Sequence, residues 1–72
     1  MHHIDFLLRG PTITLDRPLK ATGLAPSGGA AKRMVADGLV RVDGLVESRK
    51  TAQIRAGQCV ELADCTIHVR SP

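Results

Sequence analysis

At Gly38 the hydrophobic pattern of this chain changes from helical to alternating, and that change limits what the chain can fold into. Upstream, Ala31, Met34 and Val35 fall on one side of a helix. Ser27 is placed to open that helix, its hydroxyl accepting a backbone N–H two or three residues on. Gly38 sits where a left-handed residue ends it. Downstream, Leu39-Val40-Arg41-Val42 and Leu45-Val46-Glu47 flank Asp43-Gly44. An Asp-Gly pair between alternating runs predicts a hairpin with a type I′ turn. Helix and hairpin meeting at one glycine call for an α+β arrangement.

The remaining chain fills in around this junction. Ile4 to Leu8 reads as a first strand that Arg9-Gly10-Pro11 ends, and Ile13 as a second strand fragment. Thr14 is expected to cap a first helix, with Leu15 and Leu19 on its buried face and Arg17 and Lys20 pointing elsewhere. Pro18 falls in or just past the first turn, where its missing N–H does least harm, and Gly23 stops the helix. Leu24-Ala25-Pro26 leads to the second helix. Ser48 to Ala52 reads as a polar, basic loop. Ala56-Gly57 turns the chain into Gln58 to Leu62, and Ala63-Asp64 turns it into Cys65 to Val69. The expected fold is α+β: two short helices packed on a small, mostly antiparallel sheet, with 1–72 forming a single domain of a size that can hold one small core.

Composition narrows the function. Phe6 is the one aromatic residue, so no row of rings exists on which bases could stack. The net charge of +3 suits either solubility or a polyanionic partner. No segment has the length and apolarity of a membrane span, no leader pattern opens the chain, and a cytoplasmic location is expected. Cys59, Cys65 and His68 lack the spacing of a zinc site. If the apolar faces of their strands coincide, the two sulfurs point apart. His2 and His3 offer at most an incidental metal contact. No pattern places a base beside a nucleophile. Neither an enzyme, a metal nor a cofactor is expected.

The basic residues are better organised. Arg17 and Lys20 belong to the first helix, Lys32 and Arg33 to the second. Arg41 alternates away from Val40 and Val42, and Arg49 and Lys50 follow the hairpin. Seven of the ten basic residues thus lie between Arg17 and Lys50. At the start of the second helix, Gly28 and Gly29 leave backbone N–H groups uncovered, a place where an anion can approach. A basic surface without aromatics suits phosphate contact and shape recognition.

The order of these features resembles the S4 RNA-binding domain. The resemblance rests on Leu15-Asp16-Arg17-x-Leu19, Gly23-Leu24-Ala25-x-Ser27, Ala31-Lys32, Gly38-Leu39-Val40-Arg41-Val42-Asp43-Gly44 and Gly57-Gln58-x-Val60. Small stand-alone bacterial members are nearest, sharing the Leu-Lys-x-x-Gly-Leu-x-x-Ser-Gly-Gly-x-Ala-Lys run found at Leu19 to Lys32. The resemblance implies an αL motif presenting a basic surface to structured RNA, ribosomal or transfer RNA, with association to the ribosome and no DNA specificity. On matching positions the surface comprises Arg17, Lys20, Ser27, Lys32, Arg41, Arg49 and Lys50. Gly28 and Gly29 join it as the open helix start, and Arg33 by local spacing. Three positions depart from the family pattern. Gly28 replaces an Arg common after the serine. Ala30 replaces a Glu that would complete a capping box, weakening the cap by up to ~1 kcal/mol. Gln53 stands where a basic residue is common. The rival reading is a protein-interaction module on the same fold, such as a ribosome-associated adaptor, whose mark would be an exposed apolar patch.

Overall fold

A computed structural model describes residues 2–49 and 51–72. Its elements, in chain order, are β1 (His2–Leu7), β2 (Ile13–Thr14), α1 (Asp16–Ala21), α2 (Gly28–Ala36), β3 (Val40–Val42), β4 (Leu45–Val46), β5 (Gln53–Ile54), β6 (Cys59–Leu62) and β7 (Cys65–Arg70). Five strands form one sheet in the order β1-β7-β6-β3-β4. Every neighbouring pair is antiparallel except β1 with β7, which run parallel. β2 and β5 form a separate antiparallel pair.

Strand register sorts side chains into rows that alternate between the two faces of the sheet. One row runs Val42, Val60, Ile67, Ile4 across β3, β6, β7 and β1. The next runs Arg41, Glu61, Thr66, His3 on the other face. The helices cover the apolar face. Leu19, Ala31 and Val35 are sealed from solvent together with Val40, Val60 and Ile67. The polar face is open. Among the described residues no polar or charged side chain is buried, so the core carries no desolvation penalty for charge.

The junction at Gly38 forms as the pattern requires. Ser27 caps α2, its hydroxyl accepting from the Ala30 N–H at 3.1 Å. At the far end Gly38 has φ +75°, its N–H donates to the Val35 carbonyl, and the Leu39 N–H donates to the Met34 carbonyl. This reversed pair of hydrogen bonds is the Schellman motif. It turns the chain directly into β3. The hairpin that follows has φ +52° at Asp43 and +85° at Gly44, the signature of a type I′ turn.

One expectation needs correction: Thr14 does not cap α1. The N-cap is Leu15, with no side-chain cap bond, and its N–H donates instead to the Ala52 carbonyl at 3.0 Å. Leu15 is wholly buried, and seating it there draws Thr14 into the β2–β5 ladder, opposite Gln53. Pro18, at the third helical position, needs no N–H partner. β5 adds an element to the expected set. It is two residues long, too short to show alternation, yet Ile54 is 1% exposed and belongs to the buried core.

Replacing Gly38 by Ala imposes the left-handed conformation on a residue with a Cβ, which costs about 1 kcal/mol. The added methyl meets only Val46 Cγ1 at 3.8 Å, so packing stays intact. The expected outcome is a lower urea midpoint with an unchanged slope.

Candidate functional site

The short length of α1 and the tight link to α2 bring the start of the second helix beside the last turn of the first. A Cβ added at Gly28 would lie 4.0 Å from Lys20 Cδ, so the Lys20 stem passes over the opening of α2. A cleft of about 620 Å³ opens here. Its cations are Arg17, Lys20 and Lys32, and Gly28 forms part of its wall. Phe6 and Ile13 supply apolar surface, and Asp16 is the one carboxylate in the lining. A second cleft, of about 310 Å³, adjoins it through Ile13 and Arg17 and adds Arg9 and Gln53. The result is a groove bearing Arg9, Arg17, Lys20 and Lys32.

The glycines do not serve the fold. Neither Gly28 nor Gly29 has a positive φ, and a Cβ at either meets nothing closer than 3.9 Å. Ser27 satisfies the Ala30 N–H, while the N–H groups of Gly28 and Gly29 have no partner among the described residues. They are orphan donors of the kind every helix start leaves, here beside three cations and with no side chain of their own in the way.

Ion pairing divides the basic residues. Arg33 lies 3.9 Å from Asp37 one turn along α2. Arg49 donates to Glu47 at 3.0 Å, and this hydrogen bond holds the Glu47 carboxyl below its usual range, against a smaller opposing effect of burial. Arg70 donates to Asp5 at 2.7 Å, lowering the Asp5 pKa by hydrogen bond and charge together. Among the described residues Arg9, Arg17, Lys20, Lys32, Arg41 and Arg55 have no ion pair. The groove therefore holds four cations that no carboxylate engages.

The structure gathers part of the expected set and disperses the rest. Arg17, Lys20, Lys32, Gly28 and the Ser27 cap come together. Arg33 is on α2 but paired. Arg49 is tied to Glu47, and Lys50 lies outside the described residues. Arg41 is on the opposite side of the sheet from the helices, registered against Glu61. Arg9 is the cation that sequence reasoning missed. It stands outside the basic interval, beside a turn, and only the closure of β2 on β5 brings it to Arg17 and Gln53. The sequence also gave no base beside a nucleophile, yet Cys59 Sγ lies 3.5 Å from His68 Nδ1. That pairing depends on β6–β7 register, invisible in linear spacing. No group of three or more metal-ligating side chains gathers among the described residues, and no helix there is long and apolar enough to cross a membrane.

Two short helices on one face of a mixed, mostly antiparallel sheet place the chain in the αL class of small domain. A sequence model of the S4 domain matches residues 6–70, and the chain belongs to the S4 domain family. It is 44% identical over 59 residues to the Escherichia coli (strain K12) protein named "Putative RNA-binding protein YbcJ", covering 82% of this chain and 84% of that one. The same identity and coverage hold for YbcJ of Shigella flexneri, named as uncharacterized. A solution structure of E. coli YbcJ, described as revealing an αL motif involved in RNA-binding, superposes with a TM-score of 0.69 at 38% identity, over 97% of this chain and 87% of that one.

The depressed Glu47 pKa has a signed consequence. Its contribution to stability is complete above the ordinary carboxylate range and is lost as pH falls through the lower folded value. NMR titration is expected to find the Glu47 midpoint below that of a free glutamate, and Arg49→Gln to return it toward the free value.

Proposed function

We propose that this chain is a non-catalytic, cytoplasmic RNA-binding protein that docks its α1–α2 groove on folded RNA, ribosomal or transfer RNA. One observation carries the reading: Arg9, Arg17, Lys20 and Lys32 converge without ion pairs on a helix start whose first N–H groups are free. Cations already paired must break a bond to take a phosphate, and these need not. Phosphates lying along the groove meet them in turn, while the N–H groups of Gly28 and Gly29 donate to one more phosphate oxygen. Phe6 lies in the wall as part of the core margin, so recognition rests on backbone shape rather than base stacking. Membership of the S4 domain family, and likeness to a relative named as a putative RNA-binding protein, support the same reading. The two thiols, on opposite faces of the sheet, suit a reducing compartment.

A second reading has its own observation. Leu39, Leu45 and Val46 are 56%, 75% and 58% exposed around the β3–β4 hairpin, apolar side chains on both faces of this sheet edge that a protein partner could cover. This edge lies away from the groove, so a ribosome-associated adaptor could use both surfaces, and the two are separable by mutation.

With about four phosphate contacts, the logarithm of affinity for a structured RNA should fall against the logarithm of salt with a slope of about −3 to −4. Lys32→Gln should flatten that slope by about one, and Arg33→Gln should change it little. Gly28→Glu is the sharpest variant. An acid in the first turn stabilises a helix, so folding should hold or improve while RNA binding drops. RNA binding undiminished in a folded Lys32→Glu variant would move the RNA site off the groove and overturn this reading.

A further inference from the structure

The open face of the sheet, away from the groove, carries a line of three reactive side chains. Register sets Cys59 on β6 opposite His68 on β7. Cys59 Sγ lies 3.5 Å from His68 Nδ1, and His68 Nε2 lies 2.9 Å from Nδ1 of His3 on β1. The two imidazoles stack with centroids 5.1 Å apart. Both contacts are satisfied when the thiol donates to His68 Nδ1 and His68 donates from Nε2 to His3 Nδ1, the tautomer that leaves a basic nitrogen facing the sulfur.

The thiol is also reachable. Cys59 is half-buried and lines an open cleft of about 500 Å³ together with Gly57, His68 and Arg70. Arg70 adds a positive charge at the rim, although Asp5 shares it. Cys65 has a different setting. It is registered against Leu62 and His2 on the helix-covered side, and no hydrogen bond joins its sulfur to the His2 ring. Because Cys59 and Cys65 lie on opposite faces, they cannot bridge. A sulfur added to Cys59 would therefore not be displaced by the second cysteine of the same chain.

We infer that Cys59 is a modification site: a thiol activated by His68 and His3 that forms mixed disulfides with low-molecular-weight disulfides entering from this cleft. In the step, Cys59 gives its proton to His68 Nδ1, and the sulfur attacks one sulfur of the disulfide R–S–S–R. A bond forms between Cys59 Sγ and that sulfur as the original S–S bond breaks. The departing thiolate takes the proton from His68 and leaves as RSH. Cys59 is oxidised and the departing half is reduced. His68 ends the step unchanged, with His3 steadying its second nitrogen while it is charged. Cys59 and its neighbours do not line the groove, so the modification is independent of the RNA-binding reading.

The test uses the full chain and oxidised glutathione as the probe, without air, quenched with acid and read by mass of the two cysteine peptides. Cys59 is expected to react at least about tenfold faster than Cys65 near neutral pH. His68→Gln should remove that advantage, and His3→Gln, which leaves the thiol's own partner in place, should remove part of it. Equal rates for the two cysteines, or a folded His68→Gln variant with undiminished Cys59 reactivity, as exposure alone would give, would overturn the inference.

Discussion

Val60 and Ile67 face each other across β6 and β7, both wholly sealed from solvent, and the molecule is organised around that pair. Val42 and Ile4 extend the row on either side. A sheet has a strict two-residue period, so burying this row fixes every other side chain to one face or the other. The helices must cover Val60 and Ile67, and Ala31 at the centre of α2 is small enough to let them approach. Everything registered one step away is forced outward: Arg41 with Glu61, and Cys59 with His68. The basic residues of the chain are thereby split. Those on the helices stay on the covered side, where α1 and α2 open their groove, and Arg41 is carried to the other.

Charge within the groove matters less for its amount than for its availability. Exposed ion pairs such as Arg33–Asp37 and Arg49–Glu47 add little to stability, but they engage cations that a phosphate would otherwise find free. The acids are placed so that the groove keeps one carboxylate, Asp16, against four cations. Asp16 occupies the first turn of α1, where a negative charge favours the helix. The same residue that helps to begin α1 thus tempers the field beside it. Gln53, in the place of a residue often basic in the family, lies in the adjoining cleft beside Arg9. Arg9 supplies a charge there from a different part of the chain.

Much of this was legible in the sequence where the signal is local. Ser27, Gly38 and Asp43-Gly44 act through their nearest neighbours, and each does what its residue type requires. Alternation separated Arg41 from Val40 and Val42, and correctly set Cys59 and Cys65 on different faces. What escaped depends on pairing across long separations. β5 pairs with β2 and buries Ile54 in the same core as Leu15 and Leu19, a condition no two-residue pattern can announce. The same closure moves the start of α1 past Thr14 and brings Arg9 to Arg17. Likewise, Cys59 and His68 meet only through β6–β7 register, and His3 joins them only because β1 runs parallel to β7 at the sheet edge. The groove residues on α1 and α2 could be named from the sequence, but which of them remain unpaired could not.

The central claim is that folded RNA is held on the helix side, at the start of α2. Amide NMR of the full chain, titrated with a structured RNA hairpin at low salt, tests it most directly. The account predicts that the largest shifts fall on the Gly28 and Gly29 amides, with Arg17, Lys20 and Lys32 next, and that Arg41, Glu61 and His68 on the opposite face stay still. Largest shifts at Arg41, Leu45 and Val46, with Gly28 and Gly29 unmoved, would contradict it.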